Sequence, residues 1–79
     1  MRKKILLITG ANGEIGHGLI NALYAKGIKN ILALDLHPMS ENIQNKIIEG
    51  VIGNILDKNI LEQISSEYEI SAIYHLAAL

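Results

Sequence analysis

The 79-residue sequence predicts an α/β fold with a doubly wound parallel sheet. Apolar runs at residues 3–9 and 30–36 lack the alternation of a half-exposed strand, which is typical of parallel strands covered on both faces. Helical patterns separate the apolar runs, and a glycine-rich turn directly follows the first run. With right-handed crossovers, the elements follow the order β-α-β-β-α-β and the strands lie in the order 3-2-1-4.

The first helix is predicted over residues 13–26, because apolar residues recur there at helical spacing and Gly27 follows them. Its predicted apolar face consists of Ile15, Leu19, Ala22 and Leu23. Beyond the second strand, Pro38 bars a simple continuation, and residues 40–45 are compatible with a short helical turn.

A third strand is predicted over residues 46–52, weakened by Gly50. Asp57 is a suitable N-cap for a helix over residues 58–67. The apolar stripe predicted for that helix consists of Leu61, Ile64 and Tyr68. A fourth strand over residues 70–78 would leave an open apolar edge, which proteins usually avoid. We therefore expect residues 1–79 to be the N-terminal part of a longer domain.

Composition restricts the class of protein. The chain is 49% hydrophobic with a net charge of −1, as expected for a soluble globular protein, and it has no basic footprint for nucleic acid. No stretch is long enough to span a membrane, and we expect a cytoplasmic protein. The sequence has no cysteine and no histidine pair at metal-ligand spacing with carboxylates, so we predict no disulfide and no metal site.

The glycine-rich turn is the first candidate for chemistry. Gly10, Gly13 and Gly16 lie between a predicted strand and a predicted helix. A helix N-terminus has unpaired N–H groups and partial positive charge, and glycines let an anion approach closely. A pyrophosphate is the physical candidate, and a tight turn without a ligand is the alternative. A Walker-type phosphate loop is excluded, because Leu19 and Ile20 stand where lysine and serine or threonine are required.

Asp35 is the second candidate. It ends the second predicted strand, 19 residues after Gly16, at the separation where an acid meets the ribose hydroxyls of a dinucleotide. A carboxylate accepts hydrogen bonds from the 2′- and 3′-hydroxyls and repels a 2′-phosphate, which favours NAD over NADP. Taken alone, Asp35 is better interpreted as a strand-end cap or turn residue; the glycine turn one strand earlier favours the ribose role.

Four segments in order resemble the extended short-chain dehydrogenases/reductases, the NAD-dependent epimerase/dehydratase family. The first two are the pattern that begins at Thr9, with its three glycines, and Asp35. The others are Gly53-Asn54-Ile55-Leu56-Asp57, similar to the segment that reads the adenine, and Tyr74-His75-Leu76-Ala77-Ala78, similar to the fourth-strand segment beside the nicotinamide ribose. The resemblance implies the N-terminal part of a Rossmann-type domain that binds NAD.

The resemblance also implies a role for each matching position. The glycines would permit the turn, the close approach and the helix packing, and the N–H groups near Glu14 and Ile15 would contact the pyrophosphate. Asp35 and Leu36 would hold the adenosine ribose, and Asn54 and Ile55 would frame the adenine, with Asn54 in place of the commoner acid. The implied cofactor-binding residues are Gly10, Asn12, Gly13, Glu14, Ile15, Gly16, Asp35, Leu36, Asn54, Ile55, Leu76, Ala77 and Ala78.

The histidines and tyrosines give no catalytic candidate. We predict a surface position for His17 and a packing role for His75, and a contact between His37 and the adenosine stays open. None of the three tyrosines is followed by lysine four residues later, so the active tyrosine and lysine of the family lie outside this sequence. The chain alone is expected to be inactive.

For the full-length protein, the resemblance implies an oxidoreductase that transfers hydride between NAD and a hydroxyl-bearing carbon of a small-molecule substrate. A nucleotide sugar is the first candidate substrate, and a short-chain-type L-threonine 3-dehydrogenase is the alternative. A non-catalytic NAD(P)-binding or sensing module is a candidate of another class. A homodimer is the expected assembly.

Overall fold

The structure is a computed structural model and describes residues 2–76. The chain forms, in order, β1 (Lys3–Thr9), α1 (Glu14–Ala25), β2 (Ile31–Asp35), α2 (Glu41–Gln44), β3 (Glu49–Ile52), α3 (Lys58–Glu67) and β4 (Tyr68–His75). The predicted short helical turn is therefore present as α2. The predicted positions Ala77 and Ala78 lie outside the described residues.

The four strands form one parallel sheet in the order β3-β2-β1-β4, which confirms the predicted topology. Thr9, the last residue of β1, is in register with Leu34 of β2 and with His75 of β4. Asp35 pairs with Ile52 at the end of β3. The carboxyl ends of all four strands thus meet at one edge of the sheet, where ligands bind in open α/β sheets.

Helices cover both faces of the sheet, as the non-alternating strands predict. On one face, buried Ile8 and Ala33 pack with Ile20 of α1 and Ile43 of α2. On the other face, a second buried cluster includes Ile64 of α3 and four strand residues, Ile5, Leu7, Leu32 and Leu34. Residues 5–9 of β1 and 31–34 of β2 are covered on both faces, which explains why these parts of the central strands are almost entirely apolar.

Helix α1 turns a different face to the sheet than the predicted one. Ile15 is 73% exposed and Ala22 is exposed, whereas Gly16 and Ile20 are buried. Leu19 and Leu23 are partly buried against the core, as predicted. The buried stripe therefore begins at Gly16, because its missing side chain lets the helix backbone lie directly on Ala11.

Several element boundaries also differ from prediction. β3 begins at Glu49, later than expected, and β4 begins at Tyr68, directly after α3. Tyr68 therefore belongs to β4, although its side chain still packs on the same cluster as Ile64. The predicted cap of α3 is confirmed, because an oxygen of Asp57 accepts a hydrogen bond from the Asn59 N–H at 2.9 Å.

Among residues 2–76, no helix has both the length and the apolar character that a membrane span requires.

Candidate functional site

A pocket of about 310 Å³ lies at the carboxyl ends of β1 and β2. It is lined by Thr9, Gly10, Gly13, Leu34, Asp35, Leu36, Gly53, Asn54, Ile55 and Leu76. The structure therefore brings together, from four separate segments, most of the residues that the sequence singled out. Among the predicted residues, Asn12, Glu14, Ile15 and Gly16 are not in its lining.

The fold requires glycine at two of the three motif positions, for different reasons. Gly10 has a φ of +67°, a backbone conformation that favours glycine. A Cβ on Gly16 would lie 2.3 Å from the Ala11 carbonyl oxygen, so only glycine allows α1 to pack there. Gly13 has a φ of −78°, and a Cβ there would meet only the Gly10 oxygen, at 3.4 Å. The fold itself does not require glycine at position 13, which lines the pocket.

The N-terminus of α1 lies beside the pocket through its N-cap residue Gly13. No side chain caps the helix, so the first-turn N–H groups have no side-chain acceptor. The side chains of Glu14 and Ile15 are exposed and do not line the pocket. At these two positions only the backbone is available to an anion at the helix terminus.

The Asp35 carboxylate is fixed by backbone on two sides. One oxygen accepts a hydrogen bond from the Asn12 N–H at 3.0 Å, and the other accepts from the His37 N–H at 3.1 Å. A carboxylate has about four acceptor positions on its two oxygens. Each oxygen therefore keeps acceptor capacity for a ligand hydroxyl, and the two donors hold the group in one orientation at the pocket.

A three-residue bridge lies behind this carboxylate. The Asn12 side-chain oxygen accepts a hydrogen bond from the Ser40 N–H at 3.0 Å. The His17 Nε2 lies 3.2 Å from that same oxygen and 3.2 Å from the Ser40 hydroxyl. His17 is half-buried, which differs from the surface position predicted for it. No sequence pattern indicates this bridge, because Ser40 lies in the loop after β2, and only the fold brings that loop beside α1.

The wall formed by the segment after β3 is also organised by backbone. The Gly53 N–H donates to the Asp35 carbonyl oxygen at 2.8 Å, continuing the pairing of β3 with β2. The Asn54 side-chain oxygen accepts from the Leu56 N–H at 2.9 Å, which shapes the turn before α3. Ile55 is half-buried and packs on the core face that carries Leu34. This wall is apolar apart from the Asn54 amide.

Thr9 anchors the fourth strand to the floor of the pocket. Its side chain is completely buried, and its hydroxyl lies 2.7 Å from the His75 Nδ1. The Thr9 carbonyl oxygen accepts from the Leu76 N–H at 3.0 Å, which places Leu76 in the lining. Thr9, Leu34 and Gly53 also line the pocket. Thr9 and Gly53 belong to the sequence motifs but have no predicted binding role of their own, and for Leu34 the available signal was its position beside the end of β2.

Residues 6–79 match the NAD dependent epimerase/dehydratase family. The chain belongs to this family. A relative from Methanocaldococcus jannaschii, described as an uncharacterized membrane protein, is 28% identical over 83 residues, covering 99% of this chain and 24% of that protein. The chain thus spans about a quarter of the length of the relatives it matches.

Solved structures of similar proteins share the fold of this family member. L-threonine dehydrogenase from Clostridium difficile is 30% identical, with a TM-score of 0.77, over 100% of this chain and 25% of that one. A monomeric L-threonine 3-dehydrogenase from a metagenome is 38% identical, with a TM-score of 0.73, over 95% of this chain and 23% of that one. MoeE5, in complex with UDP-glucuronic acid and NAD, is 29% identical, with a TM-score of 0.72, over 95% of this chain and 23% of that one.

Proposed function

We propose that residues 1–79 form the adenosine- and pyrophosphate-binding part of an NAD-dependent oxidoreductase. The observation that carries the proposal is the placement of Asp35 and Gly13 on one pocket at the carboxyl edge of a parallel sheet. A ribose held by Asp35 would have its pyrophosphate near the N-terminus of α1, where N–H groups and the helix dipole favour anions.

The fold does not require glycine at position 13, and this supports the proposal that a phosphate lies close to Gly13. A Cβ on Gly13 would meet only the Gly10 oxygen within 4 Å, and Gly13 lines the pocket, so a side chain there is expected to narrow the pocket. A glycine that neither φ nor internal packing requires is consistent with close approach by a ligand. Gly10, Asn12, Glu14, Ile15 and Gly16 would act through backbone or through the shape of the turn.

The remaining assignments follow the pocket walls. Leu36 would lie beside the ribose, Asn54 and Ile55 would frame the adenine, and Leu76, with Ala77 and Ala78 after it, would border the middle of the cofactor. When bound, NAD supplies a nicotinamide ring that accepts or returns a hydride. These residues would bind and orient the cofactor, and the groups that move the substrate proton would belong to other parts of the full-length protein.

Two substrate classes are open to such an enzyme. The 38% identity to an L-threonine 3-dehydrogenase favours oxidation of the hydroxyl of L-threonine. The second candidate is a nucleotide sugar, since MoeE5 was solved with UDP-glucuronic acid at 29% identity. Incubation of the full-length protein with NAD and one substrate at a time separates the two: net NADH formation with L-threonine supports the dehydrogenase, and chromatographic conversion of a UDP-sugar, with or without net NADH, supports the nucleotide-sugar enzyme. A full-length sequence without Tyr-x-x-x-Lys would instead support a non-catalytic NAD-binding module.

The cofactor assignment is tested with the double variant Asp35→Ser/Leu36→Arg. Removing the carboxylate and adding a guanidinium should lower affinity for NADH and raise affinity for NADPH, because arginine pairs with a 2′-phosphate. Fluorescence titration of both nucleotides measures the ratio of their dissociation constants. An unchanged ratio would reject the ribose role of Asp35. The single variant Leu36→Arg is the control that separates the added charge from the lost one.

A further inference from the structure

We propose that His17 is a positioning residue for ribose recognition: its bridge to Asn12 and Ser40 holds the Asp35 carboxylate in its binding orientation. The inference rests on the proposed function, since it concerns how the adenosine ribose is held. His17 does not line the pocket, so any effect it has on a ligand must pass through its neighbours.

Asn12 is the pivot of the arrangement. Its N–H donates to the Asp35 carboxylate, and its side-chain oxygen accepts from the Ser40 N–H. The direction of the backbone N–H and the position of the side chain are coupled within one residue. A side chain held in place by His17 and Ser40 therefore fixes the direction from which Asp35 receives its hydrogen bond.

The hydrogen-bond geometry assigns the role of the imidazole. The Asn12 oxygen already accepts the Ser40 N–H, which identifies it as the oxygen of the amide. His17 Nε2, at 3.2 Å from that oxygen, must then carry a hydrogen and donate it. The Ser40 hydroxyl oxygen, also 3.2 Å from Nε2, shares this N–H as the second acceptor of a bifurcated hydrogen bond. One ring nitrogen thus joins the loop before α1 to the loop before α2.

Ser40 contributes its side chain to this bridge and not to the capping of α2. It occupies the N-cap position of α2, where a serine hydroxyl ordinarily accepts a hydrogen bond from the helix, yet its side chain makes no such bond. The hydroxyl instead lies against His17. Local preferences of this kind are commonly violated at functional sites. The loss of the capping hydrogen bond in favour of a contact between two loops is therefore consistent with a role of these loops in a binding site.

The inference is tested through the contribution of one ribose hydroxyl. ADP and 2′-deoxy-ADP differ only in the 2′-hydroxyl, so the ratio of their dissociation constants measures recognition of that hydroxyl alone. A hydrogen bond to a charged group corresponds to about a tenfold ratio, which we expect for the unaltered protein. His17→Ala should reduce the ratio to within about threefold, as Asp35→Asn should.

Two variants serve as controls. His17→Gln places an amide N–H near the position of Nε2 and should restore the ratio. Asn21→Ala removes another polar side chain of α1, one turn further on, that bonds to Lys46 and not to Asn12. It should leave the ratio unchanged. Calorimetric titration of each variant gives both constants, and thermal unfolding monitors the fold.

Each outcome decides the matter. If ADP does not bind the unaltered protein, the proposed cofactor site itself fails. If ADP binds and His17→Ala weakens both nucleotides equally, the ratio stays tenfold and the positioning role is overturned while the cofactor site stands. If His17→Ala does not fold, His17→Gln and Ser40→Ala are compared. A tenfold ratio of dissociation constants in His17→Gln together with a reduced ratio in Ser40→Ala supports the bridge. Any other pair of results rejects the positioning role of His17.

Discussion

Gly10, Gly13 and Gly16 share one regular spacing, but the fold demands glycine only at the first and the third. Gly10 needs its positive φ, and Gly16 needs the absence of a Cβ against Ala11. Spacing alone cannot reveal this difference, because φ and packing depend on the path of the chain around the turn. The distinction makes Gly13 a site where ligand binding and folding can be tested separately.

Gly13→Ala should abolish or strongly weaken binding of NAD while the protein stays folded. The new Cβ would have ordinary contact distances within the protein but would occupy space on the pocket side of the helix terminus. Calorimetric titration with NAD and thermal unfolding measure the two effects. Gly18→Ala is the matched control, because its Cβ would meet nothing within 4 Å and the position lies outside the pocket. Equal affinity in both variants would reject the phosphate role of Gly13.

At the scale of elements, the sequence predicted every strand and both longer helices, and it placed the Asp57 cap correctly. The errors have a common cause. Hydrophobicity predicts a buried position for Ile15, which is exposed because the contact of Gly16 with Ala11 sets the orientation of α1. Tyr68 fits the apolar period of α3, yet the chain leaves the helix at Glu67 to reach the sheet. At Ile15 and at Tyr68, tertiary packing therefore overrides the hydrophobic periodicity of the local sequence.

One hydrogen bond joins the two outer strands of the sheet. The hydroxyl of Tyr68, the first residue of β4, donates to the carboxylate of Glu49, the first residue of β3, at 2.6 Å. This hydrogen bond, burial and the nearby charges of Glu49 and Glu67 raise the pKa of Tyr68 above its ordinary value of 10.0. The folded state therefore favours the protonated phenol.

This raised pKa predicts an alkaline loss of stability that Tyr68→Phe should remove. Because the pKa is higher in the folded state, the stabilisation is complete below about pH 10 and is lost as pH rises through the folded pKa. At pH 7, Tyr68→Phe should lower the free energy of unfolding by about 0.5–1.5 kcal/mol, the usual worth of one hydrogen bond. Urea unfolding at pH 7 and above pH 10 measures the difference, which should shrink at the higher pH. A pH-independent difference would contradict the proposed origin.

At the scale of the whole molecule, the candidate site is a product of topology. Gly13, Asp35 and Asn54 lie on three different connections, and parallel strands bring all three connections to one edge. The alternation of strands and helices was enough to predict this meeting point. Side-chain contacts between the connections, such as that of His17 with Ser40, could not be predicted. They depend on the paths of the loops, and hydrophobic periodicity carries no information about those paths.

The open side of β4 is the second consequence of this topology. Within residues 2–76, β4 pairs with β1 alone, and its Ile73 is 55% exposed. An unpaired apolar strand edge is a template for association with other chains. We expect the 79-residue chain to associate increasingly with concentration, and Ile73→Lys to suppress this association, because lysine on an edge strand blocks further pairing.

Light scattering over a concentration series measures the effect. The matched control is Ile15→Lys, the same substitution at a position that is 73% exposed but lies on α1 and not on the sheet edge. Equal suppression by both variants would show that added charge, and not the strand edge, governs association.

The Asp35 carboxylate accepts internal hydrogen bonds and is also proposed to bind the ribose, and this combination constrains how cofactor preference could change during evolution. The carboxylate oxygens accept hydrogen bonds from the backbone N–H groups of Asn12 and His37, so replacing the acid removes two internal hydrogen bonds as well as the proposed ligand contact. Each lost bond costs about 0.5–1.5 kcal/mol. A lineage that drifts towards a phosphorylated cofactor would first cross a less stable intermediate. Substitutions that reinforce the two loops elsewhere would have to arise before the acid is exchanged.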